Sequence, residues 1–483
     1  MSDFGLSIAA SGLIADTAEL DTASNNLSNI NTPGYAREVV NLSPEDAAGP
    51  LGVGRGVSIG SVSELTDAVY EAANVAAEGV QGAATQANEV MTAIQSIFPE
   101  PNTDGLATQL STFWSDLSTL ASNPGQAGAE QTVATDAQQL AYTLNSSTTQ
   151  LSQLSSTLQS EIGSGASDGG TLAQSNGLLQ QIAKLNQGIV AGNAGGQNVN
   201  SLTDERRAAV DQLAGLLGVT TTTQADGSLT VLSGGVQLVS GTVAATLTTS
   251  GSAGAGNLAV STAGGVALTP GGSIGASLAA INTTIPGYQT QLSDVANALA
   301  QGVNTLQAGG MDAAGDPGSA IAPGGYTGTI LPDIFVDGGS TTTYTASGTS
   351  AASIAVSPAY ASNPALIATA AAPGPGNSNV IGTATNDTSN VQAMAALASS
   401  TTGPDAVYRS FIGGLGTDAS NASATATSAS NLATTASSNL ETISGVNQNE
   451  EEVDILSAQN AFQAASQAIN SINQAFQSLL QAV

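Results

Sequence analysis

The 483-residue chain contains no cysteine and no histidine. Without cysteine it can form no disulfide, thiolate metal site or thiol nucleophile. Without histidine it lacks the commonest general base and the commonest transition-metal ligand. The remaining candidates for a catalytic residue are weak. Lys184 lies on the apolar stripe of a predicted helix, and the acidic run of Glu450, Glu451 and Glu452 suits the start of a helix. We therefore expect no enzyme, no catalytic or metal-binding residue and no cofactor.

Basic residues are also scarce, with six against 36 acidic ones and a net charge of −30. So acidic a surface repels phosphate groups, which excludes ordinary nucleic-acid binding and attraction to anionic lipid. The chain has no run of about 18 apolar residues, so membrane insertion is not expected. The first twenty residues contain no lysine or arginine ahead of their apolar stretch, unlike a cleaved signal peptide. If the protein is exported, we expect an uncleaved N-terminus to direct it.

Two segments, near either end of the sequence, carry heptad patterns that predict coiled-coil helices. The first is a helix over residues 4–29. The second has two apolar columns that run through residues 455–483. Exposed apolar stripes mark association surfaces, so both helices are expected to act in assembly. The predicted assembly residues are Leu6, Leu13, Leu20 and Leu27 in the first helix and Ile455, Phe462, Ile469, Ile472, Phe476 and Leu479 in the second.

Residues 25–37 read NNLSNINTPGYAR. A turn is predicted at residues 32–35, because proline presets φ and glycine adopts conformations that other residues avoid. Asparagine side chains can satisfy the backbone groups that are freed where a helix ends. From the residues alone, a loop that stops the helix explains this segment. The residues of this turn motif are Asn25, Asn26, Asn29, Asn31, Thr32, Pro33, Gly34 and Tyr35.

The periodicity predicts a mainly α fold with β-rich middle domains, in which coiled-coil helices from the two ends of the sequence pair. A long helix is expected from about residue 63 to 98, with Leu65 and Val69 on its apolar side. A period-two pattern of side chains, typical of β-strands, begins at Val219, and Asp226 and Gly227 suit a hairpin turn. The predicted domains are a coiled-coil helix and turn region (1–62), a helical domain (63–217), a hairpin and helix domain (218–309), an exposed Gly/Thr-rich β and loop domain (310–387) and C-terminal helices (388–483).

The chain resembles the flagellar axial proteins, the family of rod, hook and hook-associated proteins. The resemblance rests on SGLIADTAELDTASNNLSNINTPGYAR at residues 11–37 and on VNQNEEEVDILSAQNAFQAASQAINSINQAFQSLLQAV at residues 446–483. Residues 202–241 and 275–315 are similar to the helix-then-hairpin stretch and the next helix of hook-associated members. Hook and rod proteins lack the long helical block at 63–217, so the resemblance favours the hook-associated members.

This resemblance implies a structural subunit of the bacterial flagellum that forms a junction layer between hook and filament. It implies an inner coiled coil of paired terminal helices, with the β-rich middle projecting outward. It also implies type III export and an extracellular location at the hook–filament junction. The implied partners are further copies in a ring or helical layer, the hook protein, the second junction protein and a cytoplasmic export chaperone on the C-terminal helix.

Two alternatives stay open on the residues. The first is a hook or distal-rod protein of the same family. The second is a secreted adhesin or S-layer-like surface protein, a class that the acidic, cysteine-free composition fits. Such proteins usually contain repeats, and the calcium-binding G-G-x-G-x-D repeat is absent from this sequence. The heptads near both ends are also unexplained by that class.

Overall fold

The computed structural model describes residues 2–32, 34–46, 54–102, 105–124, 126–165, 169–338, 340, 343–347, 350–375 and 377–481. These residues form a mainly helical fold with small antiparallel sheets, which confirms the predicted fold class. The helices are α1 (Ser2–Ser28), α2 (Ala68–Ile97), α3 (Leu106–Ser122), α4 (Ala127–Ile162), α5 (Thr171–Gly195), α6 (Asn200–Leu217), α7 (Gly272–Ala279), α8 (Ile285–Gly309), α9 (Ser350–Ser353), α10 (Pro358–Ser362), α11 (Ser389–Ala396), α12 (Pro404–Ser444) and α13 (Gln448–Gln481).

The strands are short and pair with antiparallel neighbours. They are β1 (Glu38–Pro44), β2 (Val57–Glu64), β3 (Val219–Thr223), β4 (Leu229–Ser233), β5 (Val236–Ser240), β6 (Val243–Ala244), β7 (Leu247–Ser250), β8 (Ala259–Thr262), β9 (Ala267–Leu268), β10 (Gly310–Met311), β11 (Phe335–Asp337), β12 (Ile354–Val356) and β13 (Ala370–Ala371). β1 and β2 form a two-stranded ribbon, β3 to β6 form a sheet in chain order, and so do β7 to β9. Gly227, with φ of +87°, lies in the turn between β3 and β4, where the sequence predicts it.

The terminal helices α1 and α13 pack along each other. Asn26, near the end of α1, is hydrogen-bonded to Glu451, near the start of α13, over 3.0 Å. At the opposite end of the pair, Gly5 lies against Ile472. The two helices are therefore antiparallel, and the predicted pairing of the terminal helices is confirmed. The β1–β2 ribbon lies along α1, where the backbone nitrogen of Val57 donates to Ser11 Oγ over 3.2 Å.

One apolar core lies under the middle of the chain and extends from Val75 to Ala419. The long helices α2, α4, α8 and α12 meet there. The core also contains Leu247 of the β-rich region and Phe335 and Tyr360 of the 310–387 region, all of them fully buried. The predicted segments 63–217, 218–309 and 310–387 thus share one core. Their boundaries mark changes of secondary structure within it, and the 310–387 region packs on the helices instead of being wholly exposed.

The start of α2 differs from the sequence prediction. β2 continues to Glu64, and Asp67 caps the helix by accepting a hydrogen bond from the backbone nitrogen of Val69 over 2.8 Å. Leu65 lies outside the helix, and Val69 is 75% exposed. Strand pairing with β1 extends the β-structure beyond the point where helical periodicity begins, and this pairing with the preceding strand is not visible in a helical pattern.

Candidate functional site: the terminal helix pair and its joint

The leucine column of α1 is only half-buried against the rest of the chain. Leu6, Leu13, Leu20 and Leu27 are all of intermediate exposure. The innermost apolar residues of α1 are instead Ala15 and Ala23, which are 3% and 4% exposed. Within one chain, α1 therefore packs mainly through small residues, which allow close approach to α13 and the ribbon. The bulkier leucines flank that contact.

The apolar columns of α13 are also incompletely covered. Ala458 is buried, and Ile455, Ala465, Ile469 and Ile472 are half-buried. Phe462 remains 40% exposed and Phe476 remains 49% exposed. The side chain of Leu479 lies outside the described part of the structure. The structure thus brings the two predicted sets of assembly residues to one helix pair and leaves part of their apolar surface uncovered.

The turn motif follows α1 and reverses the chain toward the ribbon. The backbone nitrogen of Tyr35 donates to Thr32 O over 3.2 Å, and Gly34 has φ of +80°, as the sequence predicts. Asn29 donates through Nδ2 to Asn25 O and Oδ1 over 3.1 and 3.0 Å, which satisfies groups at the helix end. Thr32 Oγ1 donates to Asn29 Oδ1. Pro33 lies outside the described residues, and Asn31 is exposed.

Asn26 is the buried centre of the motif, with 1% of its surface exposed. Its Oδ1 accepts hydrogen bonds from Tyr35 Oη at 2.8 Å and from the backbone nitrogen of Glu38 at 2.9 Å. Its Nδ2 donates to Glu38 O at 2.9 Å and to Glu451 Oε2 at 3.0 Å. One side-chain amide therefore connects α1, the turn, β1 and α13. We call the region where these elements meet α6 the joint.

Arg37, the last residue of the motif segment, binds the start of α13 through three carboxylates. Nε donates to Glu451 at 2.6 Å, Nη1 to Glu450 at 3.2 Å and Nη2 to Asp454 at 3.0 Å. The Glu451 side chain is only 1% exposed, whereas the other two are more than half exposed. The Arg37 backbone nitrogen also donates to Ser444 O at the end of α12 over 2.8 Å. This arginine therefore fixes where α13 leaves the helical block.

Arg207, on α6, holds the opposite side of the joint. It contacts Glu64 at 2.7 Å, Glu71 at 3.0 Å and Asp204 at 2.6 Å, and its Nη1 also donates to Gly34 O at 2.8 Å. Its guanidinium thus connects the turn, the end of β2, the start of α2 and α6. Arg207, whose side chain is 12% exposed, therefore helps to fasten the joint to the helical block.

Burial and charge crowding shift the pKa values of several groups in the joint. Burial raises the pKa of Glu64 to about 7, although the bond to Arg207 opposes this shift. Burial and the charge of Glu78 raise the pKa of Asp211 to about 6. Burial and nearby carboxylates also raise the pKa of Tyr35, so its hydroxyl keeps the proton that it donates to Asn26. The joint contains more carboxylates than its arginines neutralise.

The two arginines and the buried Glu451 are residues of the joint that the sequence patterns do not predict. The pattern predicts only a helix start for the acidic run, yet Glu450 and Glu451 bind Arg37. The scarcity of cations is the signal that could have found them. In a chain with six basic residues and 36 acidic ones, an arginine within a distinctive motif is expected to have several carboxylate partners.

Two kinds of site are absent from the described ranges. None of the groups of His, Cys, Asp or Glu there has an arrangement that could hold a metal ion. Each helix there is also too short or too polar to cross a lipid bilayer. The features that stand out are the half-covered helix pair and the charged joint, and both are suited to contact with protein.

Comparison with known families gives two matches. The flagellar hook-associated protein FlgK helical domain matches residues 91–321, and the flagella basal body rod protein family matches residues 6–35. The first match covers α3 to α8, which pack in the shared core. The second covers most of α1 and the whole turn motif.

Curated relatives carry the name flagellar hook-associated protein 1. The protein of Escherichia coli (strain K12) is 30% identical over 324 residues, which are 64% of this chain and 58% of that protein. The protein of Bacillus subtilis (strain 168) is 28% identical over 228 residues, 44% of this chain and 43% of its own length. The Salmonella typhimurium protein is 30% identical over 241 residues, which are 49% of this chain and 42% of that protein. The matched region therefore spans about half the length of these relatives.

A solved structure has a similar fold. The flagellar hook junction protein FlgK from Burkholderia pseudomallei superposes with a TM-score of 0.59 at 20% identity, covering 78% of this chain and all of that one. At this identity the likeness concerns the fold alone. Over parts of its length the chain is therefore similar in sequence to the FlgK helical domain and to proteins named flagellar hook-associated protein 1, and it shares the fold of a flagellar hook junction protein.

Proposed function

We propose that the protein is a structural subunit of the bacterial flagellum, which forms a junction layer between hook and filament. The observation that carries this proposal is the half-covered apolar surface of the terminal helix pair, above all Phe462 and Phe476. Apolar columns that one chain leaves partly exposed are typical of surfaces that associate. The names of the relatives support the hook as the location, since they are hook-associated proteins.

In this proposal the partners are further copies of the chain, the hook protein on one side and the second junction protein on the other. The chain passes through the type III export apparatus without cleavage and works outside the cell. A cytoplasmic chaperone covers α13 before export, because that helix would otherwise expose Phe462, Phe476 and Leu480, which are 40%, 49% and 63% exposed. The protein has no enzymatic role.

Complementation of a strain that lacks the gene tests this proposal. The Phe462→Ala variant should be produced and folded but should fail to support filament attachment, since truncating a phenylalanine buried between subunits costs about 3–5 kcal/mol. Gln474→Ala is the matched control, because Gln474 is exposed and lies off both apolar columns. If both variants restore filaments equally, the apolar column is not the assembly surface.

A further inference from the structure

We propose that two exposed surfaces in the terminal region bind each other between neighbouring copies. The first, the ribbon surface, consists of Leu42, Arg55 and Ile59. The second, the outer surface of α13, consists of Glu452, Val453 and Leu456. The inference rests on the proposed function, since it names the residues through which copies in one assembly touch.

The ribbon surface combines an apolar pair with a positive charge. Leu42 and Ile59 are directly opposite each other in the register of β1 and β2, so their side chains lie together on one face. Each is 39% exposed. Arg55 stands just before β2 and is exposed, with no ion pair to any described residue. A two-stranded ribbon with an apolar face is marginal alone, and α1 supports only part of it.

The outer surface of α13 has the opposite charge. Val453 and Leu456 are three residues apart on one helix face and are 64% and 59% exposed. The helix packs on α1 through a different face, which includes the buried Ala458. Glu452 lies four residues before Leu456 and is exposed. Its carboxylate accepts from Gln448 and, within the described part of the chain, bonds to no arginine or lysine.

Charge makes this pairing selective. Of the six basic residues, Arg37, Arg206 and Arg207 are engaged inside the fold. The other three, Arg55, Lys184 and Arg409, are exposed and form no ion pair among the described residues. Copies that each carry a charge of −30 repel one another, so a contact between copies is most favourable where one contributes a free cation. Arg55 is the exposed cation of the terminal region.

The two surfaces differ, so the contact is heterologous: each copy offers its ribbon surface to one neighbour and its outer α13 surface to another. Such contacts repeat into a ring or a helical layer instead of closing as a dimer. This is the form of assembly that a flagellar layer needs. The proposed occupant of the ribbon surface is therefore α13 of a second copy.

The absence of native cysteine allows a direct cross-linking test. One full-length chain carries Ile59→Cys and a second carries Val453→Cys, and the two are mixed, assembled on hooks purified from a gene-deleted strain and oxidised. A disulfide forms only when the two Cα atoms come within about 7 Å, so a mixed dimer reports this contact between copies. The matched control replaces Ile59→Cys with Val243→Cys, a 68% exposed valine on β6.

The expected result is a mixed disulfide dimer for Ile59→Cys with Val453→Cys and none for the control. Arg55→Glu should lower co-sedimentation of the chain with hooks several-fold. The double variant Arg55→Glu with Glu452→Arg should restore co-sedimentation. Lys184→Glu, the control, should leave co-sedimentation unchanged. If the chains sediment with hooks but the dimer is no more abundant than in the control, this contact is wrong while the proposed function stands. If even the wild-type chain does not bind hooks, the proposed function fails, and this inference is overturned with it.

Discussion

At the scale of single residues, the joint depends on a few side chains with many bonds. Asn26 uses both ends of its amide, and Arg37 and Arg207 each bind three carboxylates. Substituting such a side chain lowers the stability of the fold, because its polar and charged partners are then left without bonds inside the protein. The joint is therefore where single substitutions should have the largest effect on how the terminal helices are held.

We expect Arg37→Gln to release the start of α13 from the joint. Glu451 would remain buried without its cation, which costs about 3 kcal/mol, while the exposed Glu450 and Asp454 would lose little. Hydrogen exchange should become faster at the first turns of α13 and stay unchanged in the core. Arg409→Gln is the control, since Arg409 is exposed. Unchanged exchange in α13 would mean that Asn26 and helix packing hold the joint without Arg37.

Gly34→Val should block incorporation into the flagellum while leaving the core folded. A β-branched residue at φ of +80° costs about 1–3 kcal/mol, and a Cβ there would lie 3.2 Å from that of Ala208. Gly235→Val is a close control, because Gly235 has φ of +79° but open space around it and lies far from the joint in sequence. Motility and circular dichroism of the two variants measure the difference. Wild-type motility of Gly34→Val would show that the turn tolerates a side chain.

At the scale of helices and strands, local patterns predict the elements well, and contacts with other elements explain the failures. The hairpin turn at Asp226 and Gly227 and the heptad helices follow from short-range rules and are found as predicted. The start of α2 is not found where its periodicity predicts it, because β2 is extended by pairing with β1. The partners of Arg37 are likewise more than 400 positions away in sequence, and periodicity contains no information about them.

The helices α3 and α4 provide a pH-dependent contact. Burial and the neighbouring carboxyl of Asp116 raise the pKa of Asp136 to about 7, from an ordinary value of 3.8. The folded chain thus binds this proton more tightly than the unfolded chain, so the stability it contributes is complete below pH 3.8 and is lost as the pH rises through about 7. Asp136→Asn should therefore raise the melting temperature at pH 8 and change it little at pH 4. Asp21→Asn serves as control, because Asp21 is exposed on α1. An equal effect of Asp136→Asn at both pH values would contradict the linkage.

The terminal helices should also be the first elements that a protease removes from dilute protein. Of their described residues, none belongs to the apolar core, and much of their surface is open. Limited proteolysis should trim α1 and α13 and leave a resistant fragment that includes Val75 to Ala419. Polymerised protein should resist trimming, since neighbours would cover the helices. Equal protection of the ends in dilute and polymerised protein would show that the helix pair is already stable in one chain.

At the scale of the whole molecule, the fold separates a packed body from a pair of helices whose apolar surface is partly exposed. The body buries large residues such as Phe113, Phe335 and Tyr360, whereas the helix pair leaves Phe462 and Phe476 partly exposed. Composition and the terminal motif predict a structural, secreted protein, but they contain no information about which surface of the body faces a neighbour. That information depends on the relative placement of copies, which one chain does not define.

Electron microscopy of a gene-deleted strain shows whether this chain joins filament to hook. We expect hooks of normal form without filaments, with flagellin released into the medium, and filaments restored by the wild-type gene but not by the gene for Phe462→Ala. Normal filaments in the deleted strain would contradict the claim.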